Sequence, residues 1–188
     1  MPHSMKKALI GLIVLLVLTI AGVLYFLFGK TFEFRITAGE IQAGLNAKLP
    51  YTRSYFFVFE VTLDNPRVTL VDGSEKIKAG LDIVLNIHIG NEKKPLSGSV
   101  DVASGVRYDP ETHQFFLIDP VIERLAVQGI PEKYEQKVGE ALTKALSEYY
   151  QSHPVYTLKG TDLKQAAARL LLKKVVVIDQ ALVVTLGL

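Results

Sequence analysis

Between residues 76 and 89 apolar and polar positions alternate almost without fault. Ile77, Ala79, Leu81, Ile83, Leu85, Ile87 and Ile89 fall on one face; Lys76, Lys78, Gly80, Asp82, Val84, Asn86 and His88 fall on the other. A period of two is the signature of a strand with one dry and one wet side, so this segment predicts a half-buried strand. The same period runs through "YFFVFEVTL" (55–63), with Tyr55, Phe57, Phe59, Val61 and Leu63 on one face. There the opposite face also begins apolar, with Phe56 and Val58, so that strand needs cover on both sides. It continues to about residue 70 past Asn65-Pro66, an interruption that marks a bulge or bend.

Two further strands follow. One covers about 96–108 after the polar turn "GNEKKP" (90–95); its phase slips at Ser104-Gly105, which predicts a bulge. The other covers about 114–127 after the turn "DPETH" (109–113) and carries a central Pro120, the mark of an edge or kink. Consecutive strands joined by short polar turns predict an antiparallel meander.

A period between three and four marks the helices. Pro131 opens the principal one, over which Tyr134, Val138, Ala141, Leu142, Ala145, Leu146 and Tyr149 form one apolar stripe. Pro154 ends it, and "VYTL" (155–158) reads as a short strand. Earlier, Thr37 with Glu40 three residues on is a capping-box pattern. It starts a helix over about 38–48, with Ile41, Leu45 and Leu49 on one face and Pro50 as the stop. "TFEF" (31–34) is an extended lead-in. Thr161 caps a further helix with Leu163, Ala166, Ala167 and Leu170, and "VVVI" (175–178), Asp179-Gln180 and "ALVVTLGL" (181–188) form a closing hairpin.

Residues 8–28 contain no charge, and as a helix they span about 31 Å, close to the hydrocarbon thickness of a bilayer. Lys6 and Lys7 precede the segment and Lys30 follows it. The favoured reading is a signal anchor with residues 1–7 cytoplasmic, 8–28 across the membrane and 29–188 as one periplasmic domain. A cleaved signal ending near "LTIAG" (18–22) and a buried core helix are the alternatives.

Composition narrows the function. With Lys6 and Lys7 set aside, basic and acidic residues balance at nineteen each, which argues against a nucleic-acid partner. There is no cysteine, so neither disulfides nor a lipid-modified cysteine enter. His3, His88, His113 and His153 show no metal-ligand spacing, and no metal or cofactor site is expected. No nucleophile elbow is present, Ser97 and Ser99 have no assigned base, and nothing forces a meeting of Glu60 with Asp119. The expectation is a protein that is not an enzyme and has no catalytic residues.

Three stretches, "ITAGEIQAGLNAKLP", "LIDPVIERLAVQ" and "LTKALSEYYQSHPVYTL", carry a resemblance. Over about 36–186 the chain resembles the YceB-like family of bacterial envelope proteins, a domain of unknown function related to the tubular lipid-binding (TULIP) superfamily. That resemblance implies an α+β fold in which a strongly curved antiparallel sheet wraps a long helix, with room between them for acyl chains. It turns the faces of Phe57, Phe59, Val61, Leu81, Ile83 and Leu85 toward Val138, Leu142, Ala145 and Tyr149, with helix 38–48 covering Phe56 and Val58 from behind. Those ten residues then line either a filled core or a lipid-accepting groove. Better-known relatives carry a lipid-modified cysteine that this chain lacks, so single-pass tethering in the inner membrane is expected. The implied function is a membrane-anchored periplasmic module that binds lipid or another apolar ligand. The rival is an envelope scaffold with a filled core that recruits a protein partner.

Overall fold

The computed structural model describes residues 15–20, 22, 31–89, 92–160 and 170–188. The expected anchor over 8–28 and the expected helix after Thr161 therefore lie largely outside the described residues. Among those residues no helix is long and apolar enough to cross a membrane.

Six strands meander into one antiparallel sheet: β2 (Tyr51–Tyr55), β3 (Phe59–Thr69), β4 (Ile77–Ile89), β5 (Glu92–Asp109), β6 (Gln114–Val127) and β7 (Tyr156–Thr157), in that order across the sheet. Three more strands make a second sheet in which β1 (Thr31–Thr37) and β8 (Leu171–Ile178) flank β9 (Ala181–Gly187). Among the described residues from Thr31 onward two helices pack with these sheets, α1 (Ala38–Asn46) and α2 (Glu135–Ser152), the latter entered through a short 3-10 turn over Glu132–Tyr134. The chain is α+β, dominated by antiparallel sheet.

The alternation in β4 holds: Ile77, Ala79, Leu81, Ile83, Leu85 and Ile87 are buried, whereas Val84 and His88 are exposed. The wet face carries ion pairs between neighbouring strands, Arg67–Asp82 at 2.8 Å and Arg124–Asp101 at 2.7 Å, and one that reaches over β5 from β4 to β6, Lys78–Glu123 at 2.8 Å. Exposed pairs of this kind contribute about 1 kcal/mol or less each. The register of β3 on β4 shifts between Asp64 and Arg67, and that of β5 on β6 shifts between Ala103 and Gly105, at the two predicted interruptions.

Helix α2 lies on the dry face and touches β6 on one side and β2 and β3 on the other. In a flat sheet β2 and β6 would be four strand spacings, about 19 Å, apart, while a helix is about 10–12 Å across. The sheet must curl for both to reach it. Val138, Ala141, Leu142, Ala145, Leu146 and Tyr149 are buried on α2 as its spacing predicts; Tyr150 joins them, and Tyr134, in the 3-10 turn, is only half-buried.

Three expectations are corrected. The strand over 55–70 starts only at Phe59, as β3; Tyr55 ends a separate strand, β2, and Phe56–Val58 form the turn between them. The turn over 90–95 is shorter, because Glu92 already pairs with Ile89. Helix α1 does not cover the back of the sheet: Ile41 and Leu45 join the same interior as α2, and the Tyr149 hydroxyl donates to the Leu45 carbonyl. Phe56 is consequently left half-exposed.

The capping box of α1 is complete. Thr37 Oγ1 accepts from the Glu40 amide at 3.2 Å, and Glu40 Oε2 accepts from the Thr37 amide at 3.0 Å. Thr37→Ala should cost about 1 kcal/mol in denaturant unfolding. The Thr37 backbone donor holds the Glu40 carboxyl below its ordinary range. Its contribution is therefore present above the ordinary carboxylate pKa and fades as pH falls through the lowered value.

Candidate functional site

Of the ten residues expected to face one another inside the sheet, nine do. Phe59, Val61, Leu81, Ile83, Leu85, Val138, Leu142, Ala145 and Tyr149 are all buried in one contiguous apolar cluster with Phe115, Leu146 and Tyr150. They are close-packed side chains filling the space between sheet and helix. Burial pushes the Tyr149 phenol up to about 12. It also raises Tyr150, although the neighbouring Ser104 works against the shift; neither the Tyr150 nor the Ser104 hydroxyl completes a hydrogen bond.

Phe57 is the exception. It occupies the turn between β2 and β3, where its side chain is fully exposed. The Val58 amide donates to the Tyr55 carbonyl at 3.2 Å, and the two central residues, Phe56 and Phe57, have φ of +53° and +59°. Positive φ at both central positions is the type I′ arrangement, which strongly favours Asn-Gly. A bulky residue there crowds its Cβ against the following carbonyl, at a cost of about 1–2 kcal/mol per residue. The strand-pattern reading failed at this point because Phe-Phe carries no turn signal. Only its surplus of aromatics on both faces hinted that something other than a strand was present.

The turn sits on an aromatic stack. Phe56 meets Phe59 edge-on at 6.5 Å, and Phe59 meets Tyr134, at the start of α2, at 5.7 Å. Lys133 Nζ lies 4.8 Å from the Tyr134 ring and Lys144 Nζ 5.7 Å from the Tyr55 ring. The Tyr55 hydroxyl donates to Glu148 Oε2 at 2.7 Å. Burial, reinforced by that carboxylate, raises the Tyr55 phenol. The Val58 carbonyl accepts from the His88 amide at 2.8 Å, which ties the base of the turn to β4.

Concavity lies elsewhere. A cleft of about 530 Å³ opens between α1 and the segment 154–159, lined by Ala43, Gly44, Ala47, Val155 and Leu158, with Glu40 and Lys159 at its rim. The rim charges stand 3.9 Å apart. At the floor of the cleft α1 packs directly on backbone: a Cβ on Gly44 would collide with the Val155 carbonyl. No spacing within either segment announces it, since its walls come from segments more than a hundred residues apart.

Other candidate groups stay apart. Glu60 accepts from Asn86 Nδ2 at 2.8 Å on β3, whereas Asp119 lies on β6, three strands away in the sheet. Among the described residues no three His, Asp or Glu side chains converge as metal ligands.

A family model described as "Protein of unknown function (DUF1439)" matches residues 36–180. No curated protein matches the chain. Among solved structures the chain is similar to one described as "Crystal structure of lipopolysaccharide binding protein", with 13% identity and a TM-score of 0.29. The match covers 84% of this chain and 49% of that one, so the chain spans about half of that structure's length.

Proposed function

Because the chain belongs to the DUF1439 family of proteins of unknown function, we propose its role from geometry: a non-enzymatic envelope module that handles lipid, tethered in a bacterial inner membrane by residues 8–28 with its domain in the periplasm. The uncharged length of that segment and the lysines before it support the tether. A long helix against a curled antiparallel sheet supports the TULIP-like and YceB-like reading.

One observation carries the lipid reading. The cleft beside α1 has about 530 Å³ of space and mainly apolar walls, within the size range of small-molecule sites. A chain laid over Ala43, Ala47, Val155 and Leu158 would gain about 0.8 kcal/mol for each methylene withdrawn from water. Lys159 at the rim offers a cation to an acidic headgroup, in exchange for its long contact with Glu40. The binding site is thus moved from the interior to the flank of the fold.

Ala43 is exposed on α1, so a larger side chain there enters the cleft without disturbing the core. Native mass spectrometry of the full chain released from membranes should show a lipid-sized adduct, and Ala43→Trp should remove it with the melting temperature unchanged. Equal adduct on both proteins would place the ligand elsewhere, and none on either would end the lipid reading. The packed interior favours a second reading, a scaffold that recruits a protein partner, and absence of any adduct would select it.

A further inference from the structure

We propose that the Phe56–Phe57 turn is a lipid-surface contact, an element that inserts aromatic rings into the interfacial layer of a bilayer. The inference begins with a contradiction of local rules. Two bulky residues hold the conformation that glycine and asparagine hold most easily, and the ring of Phe57 touches nothing in the fold. A strained, fully exposed aromatic contributes nothing to folding, so its use lies outside the chain.

Size and surroundings select the partner. The exposed Phe57 ring and the half-exposed Phe56 ring offer about 200–400 Å² together, well short of the roughly 1,000 Å² that a specific protein interface needs. Among the described residues no apolar floor extends the patch: Thr52, Arg53 and Ser54 before it and His88 beside it are exposed and polar. Nor does charge mark out a protein partner. Lys133, Lys144 and Arg53 on one side are balanced by Glu132, Glu135 and Glu148 near the same end. A small convex apolar tip with a mixed polar collar matches the interface of a bilayer, where aromatic rings sit at headgroup level.

The fold supports such a tip mechanically. The Phe56 ring stands edge-on against Phe59, which in turn meets Tyr134, its closing hydrogen bond satisfies the turn, and β4 braces its base. The second sheet lies at the other end of the strands, where the Gly73 amide donates to the Val177 carbonyl. The tip is therefore remote from β1, to which residues 8–28 lead.

This inference rests on the lipid-handling reading only for its choice of partner. The chain has no tryptophan, so Phe57→Trp in the full chain is a single reporter. In vesicles of phosphatidylcholine and phosphatidylglycerol its emission should shift to the blue. Lipids brominated on their acyl chains should quench it at least twofold. Val121→Trp, an exposed position on β6, should show neither effect. Emission at the wavelength of free indole, with acrylamide quenching equal to that of Val121→Trp, would overturn the proposal. So would a blue shift that ignores brominated lipid and disappears as protein is diluted in the bilayer, which would indicate a second copy on the tip. A nitroxide on Phe57→Cys in the cysteine-free chain reads the same depth if the indole disturbs the turn. Phe57→Gly, with φ suited to glycine, should leave the melting temperature equal or higher; a fall would mean that the ring serves the fold. A tip that stays in water while the cleft still holds lipid would sink this inference alone.

Discussion

Phe59→Ala is expected to lower the unfolding free energy by about 3–5 kcal/mol, the range for removing a fully packed aromatic ring. Phe59 pairs with Tyr55 and Ile87 across the strands and is buried between the Phe56 and Tyr134 rings. Its removal leaves a void that strands held on both sides cannot close. Such a loss is a large share of the roughly 5–15 kcal/mol that holds a domain together. Denaturant unfolding followed by circular dichroism should show the midpoint fall with an unchanged slope. Phe57→Ala, two residues away, should stay within about 0.5 kcal/mol of the parent, because no contact is removed. Similar values for the two variants would mean that the division into a buried ring and a displayed one is mistaken.

That contrast also marks the boundary of what the pattern of residues discloses. Burial on β4 and α2, the capping box at Thr37, the irregularities at Asn65-Pro66 and Ser104-Gly105 and the hairpin at Asp179-Gln180 are local features. Each is written in residues a few positions apart, so periodicity and turn chemistry disclose them. The pairing of Thr31–Thr37 with Ala181–Gly187 is not local, and "TFEF" reads as a lead-in because nothing nearby names its partner. The placement of α1 fails for the same reason: an apolar face states that it will be buried, not against what.

The two candidate surfaces were hidden by different causes. The cleft is walled by small residues and backbone drawn from 40–47 and 154–159, and such a surface leaves no mark in composition. The aromatic turn was hidden because it breaks the rule by which turns are recognised. A hairpin with Asn-Gly at 56–57 would have been read at once, and it would have displayed no ring. The departure from local preference and the exposed chemistry thus have one origin, which is the expected relation at a functional site.

Ala145→Trp decides whether the interior is core or groove. Ala145 lies mid-stripe on α2, fully buried beside Leu142 and Tyr149 and facing the dry side of the sheet. In an open groove an indole would occupy free space, leave stability nearly unchanged and block a ligand. In the packed interior there is no free space, and the added ring must push α2 off the sheet or distort neighbouring rotamers. Overpacking typically costs about 1–3 kcal/mol and a substitution this large about 3 kcal/mol or more. For a domain of this size that corresponds to a fall of about 6–12 °C in melting temperature. A fall of that order, with the lipid adduct at the cleft retained in the folded fraction, separates the filled core from the flank where binding is proposed. An unchanged melting temperature would return the ligand to a groove in the interior.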